Sequence, residues 1–288
     1  LPHHMPDLDA MVISIFSLRP TPQLWRAHRK ELTDPWVGPG AGRNRDAIVS
    51  HVDSLIDGWI DTGEVEFVRE FARPLPQRMM ATILGLPMED IGQLEIWGNA
   101  QVMSYVHGTG HNNRMTEDQT REKFSLLAGF SDYVRAKVKE KRAKPADDMI
   151  SFLTQVHYEA LDRRLTDEEI NGIVYAMLIG GLETTQYAIC EQAQLLCEND
   201  GLFNRLKADP SLIRPFIEES MRLPSPTQGL STRITSQDEE FQGVKVPAGS
   251  TLHLRWGAAN VDPEEFEEPY RLDLERKALT IGRVARVE

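Results

Sequence analysis

The stretch MLIGGLETTQYAI, Met177 to Ile189, sits in the middle of a long apolar run of helical period and breaks the rules of that run. Glycine inside a helix costs about 1 kcal/mol relative to alanine, yet Gly180 and Gly181 stand side by side. A buried carboxylate without a partner is strongly penalised or titrates to its neutral form, yet Glu183 follows at once, ahead of Thr184 and Thr185. So many locally unfavourable residues in about one turn mark a site. The competing reading is close helix–helix contact at Gly-Gly with a solvated glutamate.

Working outward, Thr166-Asp-Glu-Glu169 is a capping box, with a threonine N-cap answered by a glutamate at the third helical position. The apolar positions 170, 173, 174, 177, 178 and 182 then fall on one broad face. The pattern continues to Glu198, which predicts a single helix roughly 50 Å long at ~1.5 Å per residue. Gly180 to Thr185 lies near its middle. Glycines there let a flat or small group approach the backbone, while the glutamate and threonine can bend the helix and handle protons.

Helical spacing also predicts elements over Asp46–Gly63, Phe71–Leu84 (stopped by Gly-Leu-Pro), Met88–Val106, Glu122–Arg142 and Asp147–Val156. Gly108–Asp118 is polar and glycine-containing and reads as a loop. Lys137–Arg142 forms a basic helix end that is a candidate contact for an acidic protein, against the plainer reading of solvated surface. From Gln228 the texture changes to short β-branched segments with a Pro247-Ala-Gly249 turn, followed by a proline- and acid-rich stretch to Arg276. The fold class is therefore mainly α with a small β region.

Acidic residues outnumber basic ones by 44 to 32, a formal charge of −12, which argues against nucleic acid as a partner. Cys190 and Cys197 are seven positions apart, roughly 10 Å along one helix and too far for a disulfide. Such usage fits a reducing compartment. The apolar run Met11–Leu18 is too short to span a bilayer. The expectation is a cytoplasmic protein with no membrane partner. Gly38-Pro-Gly-Ala-Gly42 lacks the dinucleotide-binding spacing. Asp147-Asp148 lacks the companion acids of a magnesium–diphosphate site, since Ile150 and Ser151 stand where they would be needed.

Downstream, Glu219 and Arg222 form E-x-x-R on one helical face. Alone this is a surface ion pair worth under about 1 kcal/mol. The order of motifs adds to it: a glycine–acid–threonine helix, then E-x-x-R, then Ser-Pro-Thr-Gln-Gly-Leu-Ser-Thr-Arg233, a β segment with Pro-Ala-Gly, and Pro269-Tyr-Arg-Leu-Asp-Leu-Glu-Arg276. In this order and spacing the chain resembles the cytochrome P-450 family, of the soluble bacterial type, from Thr166 to Arg276, with a weaker match reaching back to Trp25.

The resemblance implies a cytochrome P-450-like helical fold, incomplete at both ends, with residues 1–288 forming part of a single haem domain. Its cofactor would be heme b (iron protoporphyrin IX), and its activity haem-thiolate monooxygenation of a small organic substrate by dioxygen. Electrons would come from NAD(P)H through a ferredoxin or flavodoxin with its reductase, or through a fused reductase. By the same resemblance, Glu183 and Thr184 would be the acid–alcohol pair for proton delivery, with Gly180 and Gly181 leaving room for dioxygen. Trp25 and Arg29 would hold one haem propionate and Arg233 the other. Glu219, Arg222 and Arg271 would form a buried charge network. Thr227 and Leu230 would line the substrate pocket.

The family's iron ligand is a cysteine thiolate in a loop after the Pro-Tyr-Arg-Leu segment, and no cysteine follows Cys197. The metal ligand is therefore unknown. Leu279-Thr-Ile-Gly282 resembles the start of that loop and Ala285-Arg-Val-Glu288 the helix after it, so the expectation is that the intervening residues are omitted and the flanks joined. The alternative is a haem-free truncated scaffold of the same family without catalytic activity.

Overall fold

The computed structural model describes residues 18–107, 115–229 and 232–276. Two compact units divide the chain, one ending at Gln186 and the other beginning at Tyr187.

The first unit is helical, with α1 (Pro22–His28), α2 (Arg45–Asp57), α3 (Pro74–Leu84), α4 (Ile91–His107), α5 (Glu117–Ala143), α6 (Met149–Gln155) and α7 (Asp167–Gly181). A short hairpin, β1 (His157–Tyr158) with β2 (Arg163–Arg164), precedes α7. The capping box forms as expected: the Glu169 amide donates to Thr166 Oγ1 at 3.2 Å, and the Thr166 amide donates to Glu169 Oε2 at 2.8 Å. The predicted face of α7 is the wall of the core. Ile170, Ile173, Val174 and Leu178 are buried in one cluster with Met80 and Leu84 of α3, Trp97 of α4, Phe130 and Val134 of α5, and Leu153 of α6. Removing such side chains from water contributes about 1.5–3 kcal/mol each.

Several boundaries differ from the sequence expectation, each for a local reason. The helix expected over Asp46–Gly63 ends at Asp57; a 3-10 turn at Ile60–Thr62 and Gly63 at φ +71° close it. Along it Leu55 is buried, whereas Ile48 and Val49 are exposed. Residues 68–72 form a π-helical turn rather than the start of α3, because Pro74 has no N–H to continue the ladder from before it. Gly85 at φ +72° ends α3, its amide donating to the Thr82 carbonyl while the Leu86 amide donates to that of Ala81. A side chain at Gly85 would also collide with the Asp148 carboxylate. Helix α5 starts at Glu117, earlier than expected, because Thr116 and Gln119 make a second capping box. The rest of the predicted loop, 108–114, lies outside the described residues.

The second unit contains most of α8 (Glu183–Glu198), then α9 (Leu202–Ala208), α10 (Ile213–Arg222), four short strands and α11 (Trp256–Ala259). Strand β3 (Thr232–Ile234) pairs antiparallel with β6 (Thr251–His253), and β4 (Glu239–Phe241) with β5 (Val244–Val246). Leu202, Leu206, Phe216 and Leu274 form its small apolar core. Among the described residues no helix is long and apolar enough to cross a membrane.

Candidate functional site

The long helix expected from Thr166 to Glu198 is broken. Helix α7 ends at Gly181, α8 begins at Glu183, and Leu182 between them has φ −90° and ψ −76°. The chemistry of the opening stretch accounts for the break. In an unbroken helix the Gly180 carbonyl would pair with the amide of Thr184; here it accepts the Thr184 hydroxyl at 2.7 Å. Back-bonding of this kind bends helices. The ladder resumes with the Gln186 amide donating to the Leu182 carbonyl at 3.1 Å.

The two glycines do different things. A Cβ at Gly181 would lie 2.5 Å from Met80 Sδ, so Gly181 is there because α3 packs against it. A Cβ at Gly180 would meet nothing within 4 Å, which leaves that side of the backbone open. Helix α4 presses on the break itself, since a Cβ at Gly98 would lie 2.8 Å from Leu182 Cδ1. Glu183 is half-buried with no cation in ion-pair range among the described residues, and burial pushes its carboxyl above the usual range. Further along α8, Glu191 is also raised by burial, and its Oε2 is buried without a hydrogen-bond partner.

Helix α1 carries a second cluster. Thr21 caps it, accepting from the Leu24 amide at 3.2 Å, and Pro22 occupies the first turn. Trp25 is 48% exposed, and the Arg29 guanidinium lies 6.0 Å from its ring centroid. Arg29 also approaches Asp34 at 3.6 Å. Between Trp25 and Arg29 in sequence stands His28, fully buried, with neither ring nitrogen hydrogen-bonded. Burial first, then the charges of Arg19 and Arg29, lower its pKa to about 4. Arg19 Nε is likewise buried without a partner. The α1 region therefore holds buried polar atoms without hydrogen-bond partners on Arg19 and His28, with Asp34 Oδ1 beside Arg29 a further one.

In the second unit the E-x-x-R pair is a buried, fully bonded network rather than a surface bridge. Glu219 and Arg222 are 6% and 8% exposed and bond in bidentate fashion at 2.7 and 2.9 Å. The remaining Arg222 hydrogens go to the carbonyls of Asn260 (2.9 Å), Pro269 (2.6 Å) and Arg271 (3.1 Å). Glu219 also accepts the Asp273 amide at 3.1 Å. Arg271 was expected to complete this network with its side chain, and it does not. Its side chain is 61% exposed and pairs with Glu268, so only its carbonyl takes part. Arg276 holds that place instead, with Nε 3.2 Å from Glu219 and its guanidinium 5.8 Å from the Phe266 ring. The sequence signal for Arg276 was its position closing the same Pro-Tyr-Arg-Leu-Asp-Leu-Glu-Arg segment.

Arg233 is exposed on β3, opposite Leu252 of β6. Thr227 is half-buried, its carbonyl accepting from Ser225 Oγ at 3.2 Å. Leu230, Leu279–Gly282 and Ala285–Glu288 lie outside the described residues. The basic helix end is largely matched internally: Lys141 bonds Asp148 at 2.6 Å, Arg142 bonds Asp167 at 2.6 Å, and Lys137 meets Glu140 at 3.5 Å. Asp147 pairs with Arg43 at 2.6 Å, and Asp148 caps α6. No cluster of metal-ligating side chains occurs among the described residues. Cys190 and Cys197 both sit on α8 and form no disulfide.

Comparison with known proteins gives one family throughout. The family model described as cytochrome P450 matches residues 211–277. The steroid C26-monooxygenase of Mycobacterium tuberculosis (strain CDC 1551 / Oshkosh) is 31% identical over 230 residues, 80% of this chain and 59% of that protein. The polyketide biosynthesis cytochrome P450 PksS of Bacillus subtilis (strain 168) is 30% identical over 232 residues, 81% of this chain and 54% of that one. The chain thus spans between half and three fifths of the length of these curated relatives. Among solved structures, P450BioI in complex with an acyl carrier protein ligated to hexadec-9Z-enoic acid superposes with a TM-score of 0.83 at 26% identity, over 96% of this chain and 70% of that one. CYP109E1 from Bacillus megaterium in complex with testosterone gives a TM-score of 0.71 at 30% identity, over 95% and 66%.

Proposed function

This chain belongs to the cytochrome P450 family, and from that premise we propose that residues 1–288 are part of a single haem domain of a monooxygenase. It would insert one atom of dioxygen into a small organic substrate. The observation that carries the reading is the helix break: an open Gly180 backbone, a Thr184 hydroxyl bonded to the Gly180 carbonyl, and a half-buried Glu183 whose carboxyl burial pushes above the usual range, all within five consecutive residues. A carboxyl whose pKa is raised and a hydroxyl beside it make a proton relay.

The residues present fit two parts of a haem. The α1 region holds an Arg19 Nε–H and a His28 ring that are buried without hydrogen-bond partners, next to Trp25 and Arg29, and a propionate carboxylate would accept from the N–H groups of such a cluster. Trp25 and Arg29 would hold one propionate. The open side of Gly180 suits the approach of a flat macrocycle and a diatomic molecule. For the iron, Cys190 and Cys197 are the thiols among the described residues, and both lie just past the relay on α8 rather than in the family's ligand loop. We assign neither as ligand. Bound haem supplies the activation of dioxygen.

The chain's own groups then have distinct tasks. Glu183 takes up and releases a proton at its carboxyl, and Thr184 passes it on through its hydroxyl. Trp25 and Arg29 orient the cofactor. Glu219, Arg222 and Arg276 fix the segment from Asn260 to Asp273 by its carbonyls and amides. Electrons would come from NAD(P)H by way of a ferredoxin or flavodoxin and its reductase, or a fused reductase, in the cytoplasm. The relatives' names span steroid and polyketide chemistry, so no narrower substrate class is assigned.

The test is coupling. In the protein expressed from its complete gene and supplied with electrons, Glu183→Gln and Thr184→Ala should keep consuming NAD(P)H while product per electron pair falls and peroxide rises. An unchanged coupling ratio in both variants would remove the relay.

A further inference from the structure

A cleft of about 410 Å³ opens in the first unit, away from the Gly180 motif in sequence, lined by His51, Pro74, Gln77, Arg78, Met88 and Ile91. The volume lies in the range of small-molecule sites. Its walls divide by chemistry. Pro74, Met88 and Ile91 are apolar and come from the start of α3 and the turn into α4. His51, Gln77 and Arg78 supply the polar edge.

Each of the three polar groups keeps capacity that the protein does not use. The Gln77 side chain is on a residue only 9% exposed, and no described group hydrogen-bonds its amide. The amide is thus free to donate into the cleft. Arg78 makes one long hydrogen bond, 3.3 Å from Nη1 to Ser54 Oγ, and no carboxylate among the described residues pairs with it. For His51 the tautomer follows from its neighbour. The Thr82 hydroxyl donates to the Arg78 carbonyl at 2.9 Å, so toward His51 Nε2, 2.9 Å away, it must accept. Neutral His51 therefore carries its proton on Nε2, and Nδ1 is the nitrogen left over. Among the described residues no acidic side chain lines the cleft.

We propose that this cleft is a second binding site, for a small amphiphilic carboxylate whose head pairs with Arg78 and accepts from the Gln77 amide while its tail lies on Pro74, Met88 and Ile91. A planar guanidinium suits a carboxylate better than any neutral head group. The amide supplies a donor that no acceptor among the described residues takes, and the apolar wall accounts for the tail. The site is independent of the haem reading, because none of its residues belongs to the relay or the α1 cluster.

The probe is octanoate, with octanol as the neutral match of the same chain length, on the protein expressed from its complete gene and carrying 13C-methyl methionine. The Met88 methyl signal, assigned with Met88→Leu, should shift saturably with octanoate. Octanol should bind at least tenfold more weakly, and Arg78→Gln should weaken octanoate at least tenfold. The proposal is overturned if the Met88 signal does not shift saturably with octanoate, if octanol binds as tightly in the unaltered protein, or if Arg78→Gln binds octanoate as well as the parent.

Discussion

Two regions of this molecule bury a glutamate near a helix, and they treat it in opposite ways. Glu219 is surrounded: Arg222 grips both oxygens, Arg276 approaches one of them, and the Asp273 amide adds a further donor. These contacts hold its carboxyl below the usual range although burial alone works to raise it. Glu183 sits at the break between α7 and α8 with burial unopposed, and its carboxyl is pushed up. A buried charge whose partners are complete is architecture, and removing a partner is costly. A half-buried acid left without partners, beside a hydroxyl and an open backbone, can change protonation state at little cost to the fold.

The largest effect should come from breaking the complete network. Arg222→Ala strands the Glu219 carboxylate and three backbone carbonyls, and should cost about 3–5 kcal/mol in urea denaturation. Arg276→Ala should cost less, and Arg271→Ala, an exposed pair, under about 1 kcal/mol. If Arg271→Ala were as damaging as Arg222→Ala, the assignment of Arg276 over Arg271 would be wrong.

Next in size is a pH effect from His28 in the haem-free chain. Its folded pKa of about 4 lies below the ordinary 6.5. The unfolded chain therefore binds the extra proton first as pH falls. Stability is fully present above pH ~6.5 and is lost on acidification toward ~4, by about 3 kcal/mol in all. His28→Gln should flatten that slope between pH 7 and 4.5; an unchanged slope would remove His28 as its source.

The glycine pair separates packing from openness. Gly181→Ala drives a methyl into Met80 and should destabilise by about 1–3 kcal/mol. Gly180→Ala meets no atom and should be neutral or stabilising by up to about 1 kcal/mol, from helix propensity alone. Equal costs at both positions would mean that Gly180 is as tightly packed as Gly181.

The smallest shift is expected at Glu183. A carboxyl with a raised folded pKa subtracts stability as pH rises through its unfolded and then its folded value. Glu183→Gln should therefore melt slightly higher than the parent at pH 7 and equal to it at acidic pH, by differential scanning fluorimetry. A lower melting temperature at pH 7 would mean that an unseen partner stabilises the charged form.

Much of this was legible in the residues. The α7 face, its capping box and the late β strands follow from spacing and turn chemistry, which act within a few residues. The break at Leu182 was harder, because periodicity reports which face is apolar and the apolar face continues across it; only the hydroxyl of Thr184, free to choose between solvent and the Gly180 carbonyl, decides it. The network misled for another reason. Arg271 and Arg276 are five positions apart in a segment without regular structure, so no period tells which guanidinium turns inward. The donor cluster at Arg19 and His28 was invisible, since a lone histidine among arginines reads as ordinary helix surface until burial is known.

The most direct test of the central claim is the absorption spectrum of the reduced, carbon-monoxide-bound protein expressed from its complete gene. The account predicts bound haem with a strongly red-shifted Soret band, the signature of a thiolate ligand. Haem without that shift, or no haem at all, would contradict it and leave the Gly180–Thr184 break as architecture without the chemistry.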